Sequence, residues 1–184
     1  MDAIMDAILQ RRSIRRYKTD PIPDDILGQL LEAVRWSPSW ANTQCWEVVV
    51  IRSPETKVKL QEAVGRNPAK DAMVTAPVVL VLCAQEKRAG FKKGEVTTRF
   101  GEWFMYDLGI ANQNVCLAAH ALGLGTVIVG LSDHARVDAV LGLPPGYKAV
   151  TMVPLGYPEG EAQAPPRREQ GEFVHQEQFE RKSS

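Results

Sequence analysis

Trp103, Phe104, Leu108, Ile110, Ala111, Val115, Cys116, Ala119 and Leu122 wrap almost all the way round one long helix, predicted from about Phe100 to Leu122. A helix apolar on every side has no face to give to water, so it must be buried in a core or in a subunit interface. Gly123 and Gly125 follow it as a stop. Whatever else the chain builds has to pack around this rod.

The flanking segments supply that packing. Ile4, Met5, Ile8 and Leu9 recur at helical spacing and predict an N-terminal amphipathic helix running into Arg11 and Arg12. A second helix starts at about Pro23, a residue suited to a first helical turn, and Asp24 and Asp25 match its positive end. Its buried stripe is Ile26, Leu27, Leu30, Leu31 and Val34. Ser37 to Gln44 has loop chemistry, and the β-branched run from Trp46 to Ile51 reads as a strand. Ser53, Pro54 and Glu55 form an N-cap, first turn and dipole-matching acid for a short helix toward Val64. Val78 to Leu82 is a continuous apolar run, typical of a central strand covered on both faces.

A polar stretch from Gln85 to about Thr98 leads to the long helix. After it, Thr126 to Val129 reads as a buried strand, and Ser132 and Asp133 cap a short helix through Leu141 with Gly142 as its stop. Ala149 to Leu155 is the last strand. Helices and strands mix without strict alternation, so the expected class is α+β. Beyond Gly156 the composition shifts to Pro, Glu, Gln and Arg, with little core-forming power. With no repeat and no linker, residues 1–184 are expected to form a single domain, about 157–184 being an extended C-terminal tail.

Several function classes drop out. Lys plus Arg and Asp plus Glu balance at 22 each, so no net field draws the chain to nucleic acid or an anionic membrane. The first thirty residues hold no apolar signal region, and no stretch approaches a bilayer span. Three cysteines without CxxC spacing suit a reducing, cytoplasmic setting. His120, His134 and His175 are scattered with no carboxylate at metal spacing, and His120 reads as a satisfied interior histidine. There is no GxSxG elbow and no GxxxxGK[ST] loop. The GLG at Gly123 to Gly125 lies between a helix and a strand, the reverse of a dinucleotide fingerprint. No acid, base or nucleophile stands out, which fits an enzyme whose hard chemistry belongs to a cofactor.

Three clusters remain. RRSIRRY, Arg11 to Tyr17, sets four guanidiniums around the Ser13 hydroxyl just after a helix, a donor set matched to phosphate oxygens. Its plainer alternative is a solvated basic patch that complements a helix C-terminus. SPSWANTQCW, Ser37 to Trp46, offers hydroxyls, amides and two indoles that can bond the edge of a heteroaromatic ring or stack on its face. Its alternative is a turn whose tryptophans pack into the core. GLGTVIVGLS ends at Gly130 and Leu131, where the chain leaves a sheet and bare backbone N–H groups can face a ligand or simply make a tight turn.

In this order and spacing the clusters, with the closing LGYP and PPRR, resemble the nitroreductase family of FMN-dependent oxidoreductases over nearly the whole chain. The resemblance implies a mixed central sheet flanked by helices, in an intertwined homodimer whose two subunits share two FMN sites at their interface. It implies ping-pong turnover, in which NADH or NADPH reduces the flavin and a small acceptor, nitroaromatic or quinone-like, then replaces it. Carried over by position, Arg11 and Ser13 match the holders of the FMN phosphate and ribityl chain, with Arg15 and Arg12 in the same arm. Pro38, Ser39 and Trp40 match the loop a partner subunit lays along the flavin, with Asn42 and Gln44 behind it. Asn67 and Lys70 match a polar pair near the pyrimidine. Gly130 and Leu131 resemble the turn whose backbone meets the reactive nitrogen, and Arg167 or Arg168 resembles a late basic residue returning to the phosphate. Trp40 stands where the family often has a small residue and Cys45 where it often has proline, which predicts a narrowed acceptor pocket. The chain is also short between Cys83 and the long helix. Two rivals remain: another redox step on the same fold, such as dehalogenation, enone reduction or flavin destruction, or a non-catalytic flavin-binding dimer.

Overall fold

The computed structural model describes residues 3–180. Its centre is a four-stranded sheet in the order β1 (Trp46–Ile51), β2 (Val78–Gln85), β6 (Tyr147–Gly156), β5 (Gly125–Thr126). All pairings between these strands are antiparallel; the parallel component is one bridge from Ser13 to Thr126. Because side chains alternate along a strand, β2 divides its burial between two layers. Leu80 and Leu82 face a core with Leu30 and Val34 of α2 (Asp24–Arg35) and Leu108 and Val115 of α5 (Phe104–Ala121). Val79 and Val81 face a second core with Leu60 of α3 (Pro54–Ala63), Met73 of α4 (Ala72–Thr75) and Val137 of α6 (His134–Leu141). The fold is α+β with helices on both sheet faces.

Local signals account for most boundaries. The Ser53 hydroxyl accepts the Thr56 N–H and Pro54 opens α3. Asp133 caps α6 by accepting the Arg136 N–H, and Gly142 ends it with φ 64, a left-handed conformation that costs glycine little. Gly123, φ 76, likewise follows the end of α5. Gly125 is different from the expected helix stop: it lies in β5, where an added Cβ would sit 2.6 Å from the Ile14 side chain. Its lack of a side chain lets the Arg11-to-Tyr17 segment run against the sheet.

Two expectations need correction. α5 begins at Phe104 rather than Phe100, because the Trp103 indole donates to Thr98 Oγ1 at 2.7 Å and its backbone N–H to Ala89 at 3.1 Å. Those long-range bonds hold residues 98–103 out of the helix. The strand expected at Thr126 to Val129 is cut to Gly125–Thr126, with Val129 making only an isolated bridge to Met152. Of the two covers expected for α5, the chain's own core supplies only part: Met105 and Tyr106 are 61% and 63% exposed. The short α4, the hairpin of β3 (Phe91–Lys92) and β4 (Glu95–Val96), and α7 (Gln170–Phe173) in the tail carry too little periodicity to be read from sequence. α1 (Ala3–Gln10) forms as expected, yet Ile4 and Leu9 remain 64% and 53% exposed.

Burial sets a pH limit on stability. Cys45 and Cys83 are pushed up to about 12, first by desolvation, and Cys116 is raised for the same first reason. A thiol raised in the folded state stabilises fully below its unfolded value, about 8.5, and loses that contribution as pH climbs toward the folded value. Melting temperature is therefore expected to fall between about pH 9 and about pH 11. Serine at all three positions should flatten that fall, and an unchanged slope would assign it to other groups.

Candidate functional site

α1 ends at Gln10, and the next two arginines take different tasks. Arg12 turns its guanidinium back onto Leu9 O at 2.6 Å and Arg11 O at 2.8 Å, so it satisfies carbonyls at the helix end. Arg11 makes no side-chain hydrogen bond or ion pair among the described residues and lines a cleft of about 510 Å³. Gly123, Gly125 and Gly160 expose backbone on the walls of that cleft, His120 and Thr126 contribute polar groups, and Glu161 is the carboxylate on its lining. His120 is therefore half-buried and turned to a cleft, not an enclosed core histidine. Arg12 lines the same cleft, with its guanidinium held on the helix-end carbonyls. A free guanidinium over bare peptide suits a phosphate-sized anion.

The segment beyond Arg11 runs beside β5. Ile14 N–H donates to Thr126 O at 2.8 Å, and Ser13 bridges Thr126 in parallel. Arg15 is exposed and reaches Ser13 O at 3.3 Å. Past β5 the chain leads to Gly130 and Leu131, both exposed. Asp133 N–H donates to Ala63 O at 2.8 Å, which ties this turn to the last residue of α3, ahead of the loop that carries Asn67 and Lys70. Asn67 Oδ1 caps the Ala69 N–H at 2.9 Å, leaving its amide NH₂ uncommitted among the described residues; Lys70 is exposed. Ser13 and Arg15 thus lie on the segment that runs beside β5 next to the Arg11 cleft, and the Asp133 N–H links the turn after Leu131 to the end of α3.

The loop from Ser37 to Cys45 is elsewhere. Ala41, Asn42 and Gln44 all have positive φ, at 45, 54 and 49. Three non-glycine residues in that region within four positions mark a strained loop held by its surroundings. Ser39 Oγ accepts the Gln44 N–H at 2.9 Å, and the Ser37 hydroxyl is anchored to Asn114 of α5 at 2.8 Å. The main pin is Asp107, fully buried on α5: Oδ1 accepts the Trp40 N–H at 2.9 Å and Oδ2 the Cys45 thiol at 3.5 Å. Trp40 packs against the core and lines a cleft of about 260 Å³ with Pro38, Ser39, Trp103 and Tyr106. Trp46 also packs against the core, as its plainer alternative has it.

The late arginines are both exposed and locally engaged. Arg167 donates to Pro165 O at 3.0 Å, and Arg168 bonds Glu172 through its side chain at 3.1 Å and its carbonyl at 2.8 Å. Neither lines the Arg11 cleft. Sequence reasoning passed over Asp107 and took His120 for a core residue. A lone acid inside an apolar helix was the available signal for Asp107, since a buried carboxylate demands donors.

Distance along α5 separates the two halves. Asp107 holds the Trp40 loop near its start, and His120 meets the Arg11 cleft near its end. At about 1.5 Å per residue those positions are roughly 20 Å apart along the axis.

A nitroreductase family model matches residues 8–71 and 64–157. The chain is 36% identical over 181 residues to a Thermus thermophilus NADH dehydrogenase, covering 84% of this chain and 86% of that protein. It is 31% identical over 190 residues to the Bacillus subtilis FMN reductase (NAD(P)H), covering 97% and 75%. The solved structure of the Vibrio harveyi NADPH:FMN oxidoreductase, complexed with NAD+, is similar with a TM-score of 0.86 at 28% identity, covering 99% of this chain and 80% of that one.

Proposed function

The chain belongs to the nitroreductase family, and from that premise we propose that it binds FMN and uses NADH or NADPH to reduce a small nitroaromatic or quinone-like acceptor by ping-pong turnover in the cytoplasm. The observation that carries this reading is the uncommitted Arg11 guanidinium over a glycine-lined cleft, beside an Arg12 already spent on a helix end. The donor set fits the cofactor: a fixed charge for the phosphate, then the Ser13 hydroxyl, then bare backbone at Gly130 and Leu131. Bound FMN supplies the ring that accepts hydride and passes electrons on. The protein orients the phosphate through Arg11, with Arg15 adding positive field. Asn67 and Lys70 address the polar edge of the ring, and the Leu131 N–H faces its reactive side. Arg167 or Arg168 reaches the phosphate only if the tail shifts from its present bonds. In this reading residues 1–184 are a single FMN-binding domain with 157–184 as its tail.

The site is completed by a second copy. The Trp40 loop, with Pro38, Ser39, Asn42 and Gln44, stands roughly 20 Å along α5 from the Arg11 end, so it serves the partner's flavin when two α5 helices pack antiparallel. Met105, Tyr106, Gly109 and Ile110 line the exposed α5 face that such packing would cover. Burying each large apolar side chain is worth about 1.5–3 kcal/mol. Light scattering is expected to report a dimer at micromolar concentration. A folded monomer there would remove the basis for shared sites.

One experiment tests the whole reading. Purified protein should be yellow and release FMN rather than FAD by mass spectrometry, and its spectrum should bleach anaerobically with NADH or NADPH. Protein that takes up no FMN overturns the reading, while flavin that neither nucleotide bleaches makes it a binder rather than a reductase. Product analysis with nitroaromatic, quinone, enone and halogenated acceptors then separates nitroreductase chemistry from the other redox steps.

A further inference from the structure

We infer that His134 is a positioning residue that tunes the flavin through the Gly130–Leu131 peptide, an inference that rests on the FMN reading above. His134 opens α6, with Nε2 3.1 Å from Gly130 O and Nδ1 3.0 Å from Ala149 O. Carbonyl oxygens only accept, and a neutral imidazole carries one N–H. In the neutral form one ring nitrogen turns a lone pair toward a carbonyl oxygen. Only the imidazolium donates to both.

The two contacts differ in reach. The bond to Ala149 O fixes the ring to β6, while the bond to Gly130 O acts on the turn assigned to the flavin. The Gly130 carbonyl and the Leu131 N–H are opposite ends of one planar, conjugated peptide unit. A donor on the oxygen polarises the whole unit and strengthens the hydrogen bond its N–H makes, by about 10–30% in condensed phase. A charged donor does this more than a neutral one. Protonated His134 therefore makes the Leu131 N–H a stronger donor toward a ring that gains electron density on reduction. The reduced form of FMN is favoured over the oxidised form, and by linkage reduction favours protonated His134.

The charged groups around His134 are engaged with other partners. On its own helix Asp133 accepts the Arg136 N–H and Asp138 accepts the Ala149 N–H at 2.7 Å. Arg136 is paired with Glu62 of α3, and Lys148 of β6 with Glu86. The imidazole is exposed and exchanges its proton with solvent.

The test is an anaerobic redox titration of FMN-loaded protein, wild type against His134→Gln, from about pH 5.5 to about pH 8.5, the range in which imidazole titrates. Glutamine keeps one neutral donor and removes the titration. As pH falls, the preference of wild type for reduced over oxidised FMN should rise above that of the variant on the order of threefold, the scale of a charge acting beside a peptide dipole. At high pH the two should converge. Parallel profiles at every pH, in variants that hold FMN normally, overturn the role of His134 and leave the FMN reading intact. Failure of the wild type to take up FMN overturns both. If the glutamine variant folds poorly, the same comparison is made with His134→Asn. Proton uptake on flavin reduction is the second readout, and it should be smaller in either variant than in wild type.

Discussion

Replacing Arg11 with alanine is expected to weaken FMN binding by roughly tenfold to a hundredfold, the worth of one charge-assisted hydrogen bond. Arg12→Ala should leave affinity nearly unchanged and cost about 0.5–1 kcal/mol of stability, through loss of a cation at a helix C-terminus. The two side chains are adjacent and equally charged, so any treatment by net charge makes them equivalent. Geometry does not: both line the glycine-lined cleft, but Arg12 is bonded to Leu9 O and Arg11 O, while Arg11 makes no side-chain hydrogen bond or ion pair among the described residues. Arg16, exposed beyond the same segment, should behave as a solvated flank and change affinity little. Fluorescence quenching of FMN titrated into apoprotein measures the affinities, and thermal melting measures the stabilities. Similar affinity losses for all three variants would mean that the basic run acts only as a diffuse field.

The RRSIRRY run was legible as a phosphate-binding cluster because arginine and serine at that density have few other uses. Which arginine stays free was not, since that depends on where α1 stops and which carbonyls it leaves open. The strand at Trp46 was legible from its β-branched run, and the one at Val78 from composition, because side chains covered on both faces must be apolar throughout. The strand at Thr126 was overextended: its β-branched run continues, but its ladder with β6 covers two residues before the chain turns out toward Ile128, which is 44% exposed. α5 was legible as a helix that must be covered in a core or at a subunit interface; which of its residues the chain itself leaves exposed was not. Apolar periodicity reports what must leave water and is silent on which molecule covers it. Asp107 shows the same limit from the polar side. Its partners, Trp40 and Cys45, are more than sixty positions away in sequence and are joined to it only by the fold.

Asp107→Ala should lower the melting temperature by roughly 4–10 °C, with Asp107→Asn much milder. The alanine removes the acceptor of the Trp40 N–H in a buried setting, and an unpaired buried donor costs about 1–3 kcal/mol. Relief from burying a carboxylate works in the opposite direction, which is why asparagine, retaining one oxygen for Trp40, keeps most of the stability. Cys45 provides a local readout that global melting does not. Its thiol is pushed up to about 12 by burial first and by the Asp107 charge second. Losing the charge lowers that value, so alkylation of Cys45 at mildly alkaline pH should be faster in Asp107→Asn than in wild type. Function should follow the loop rather than the flavin. Trp40, released from Asp107, no longer defines the cleft it forms with Trp103 and Tyr106, and relative kcat/KM among acceptors should change by about tenfold. Trp40→Ser should reproduce that change without the full stability loss. Flavin reduction by NADH or NADPH should stay close to wild type in both, because hydride transfer requires open space within about 3.5 Å of the ring that an indole at the rim leaves clear. Stopped-flow traces of the two half-reactions separate these effects. A Trp40→Ser variant as unstable as Asp107→Ala, with acceptor preferences unchanged, would make Trp40 a core residue and Asp107 its anchor, with no part in selecting the oxidant.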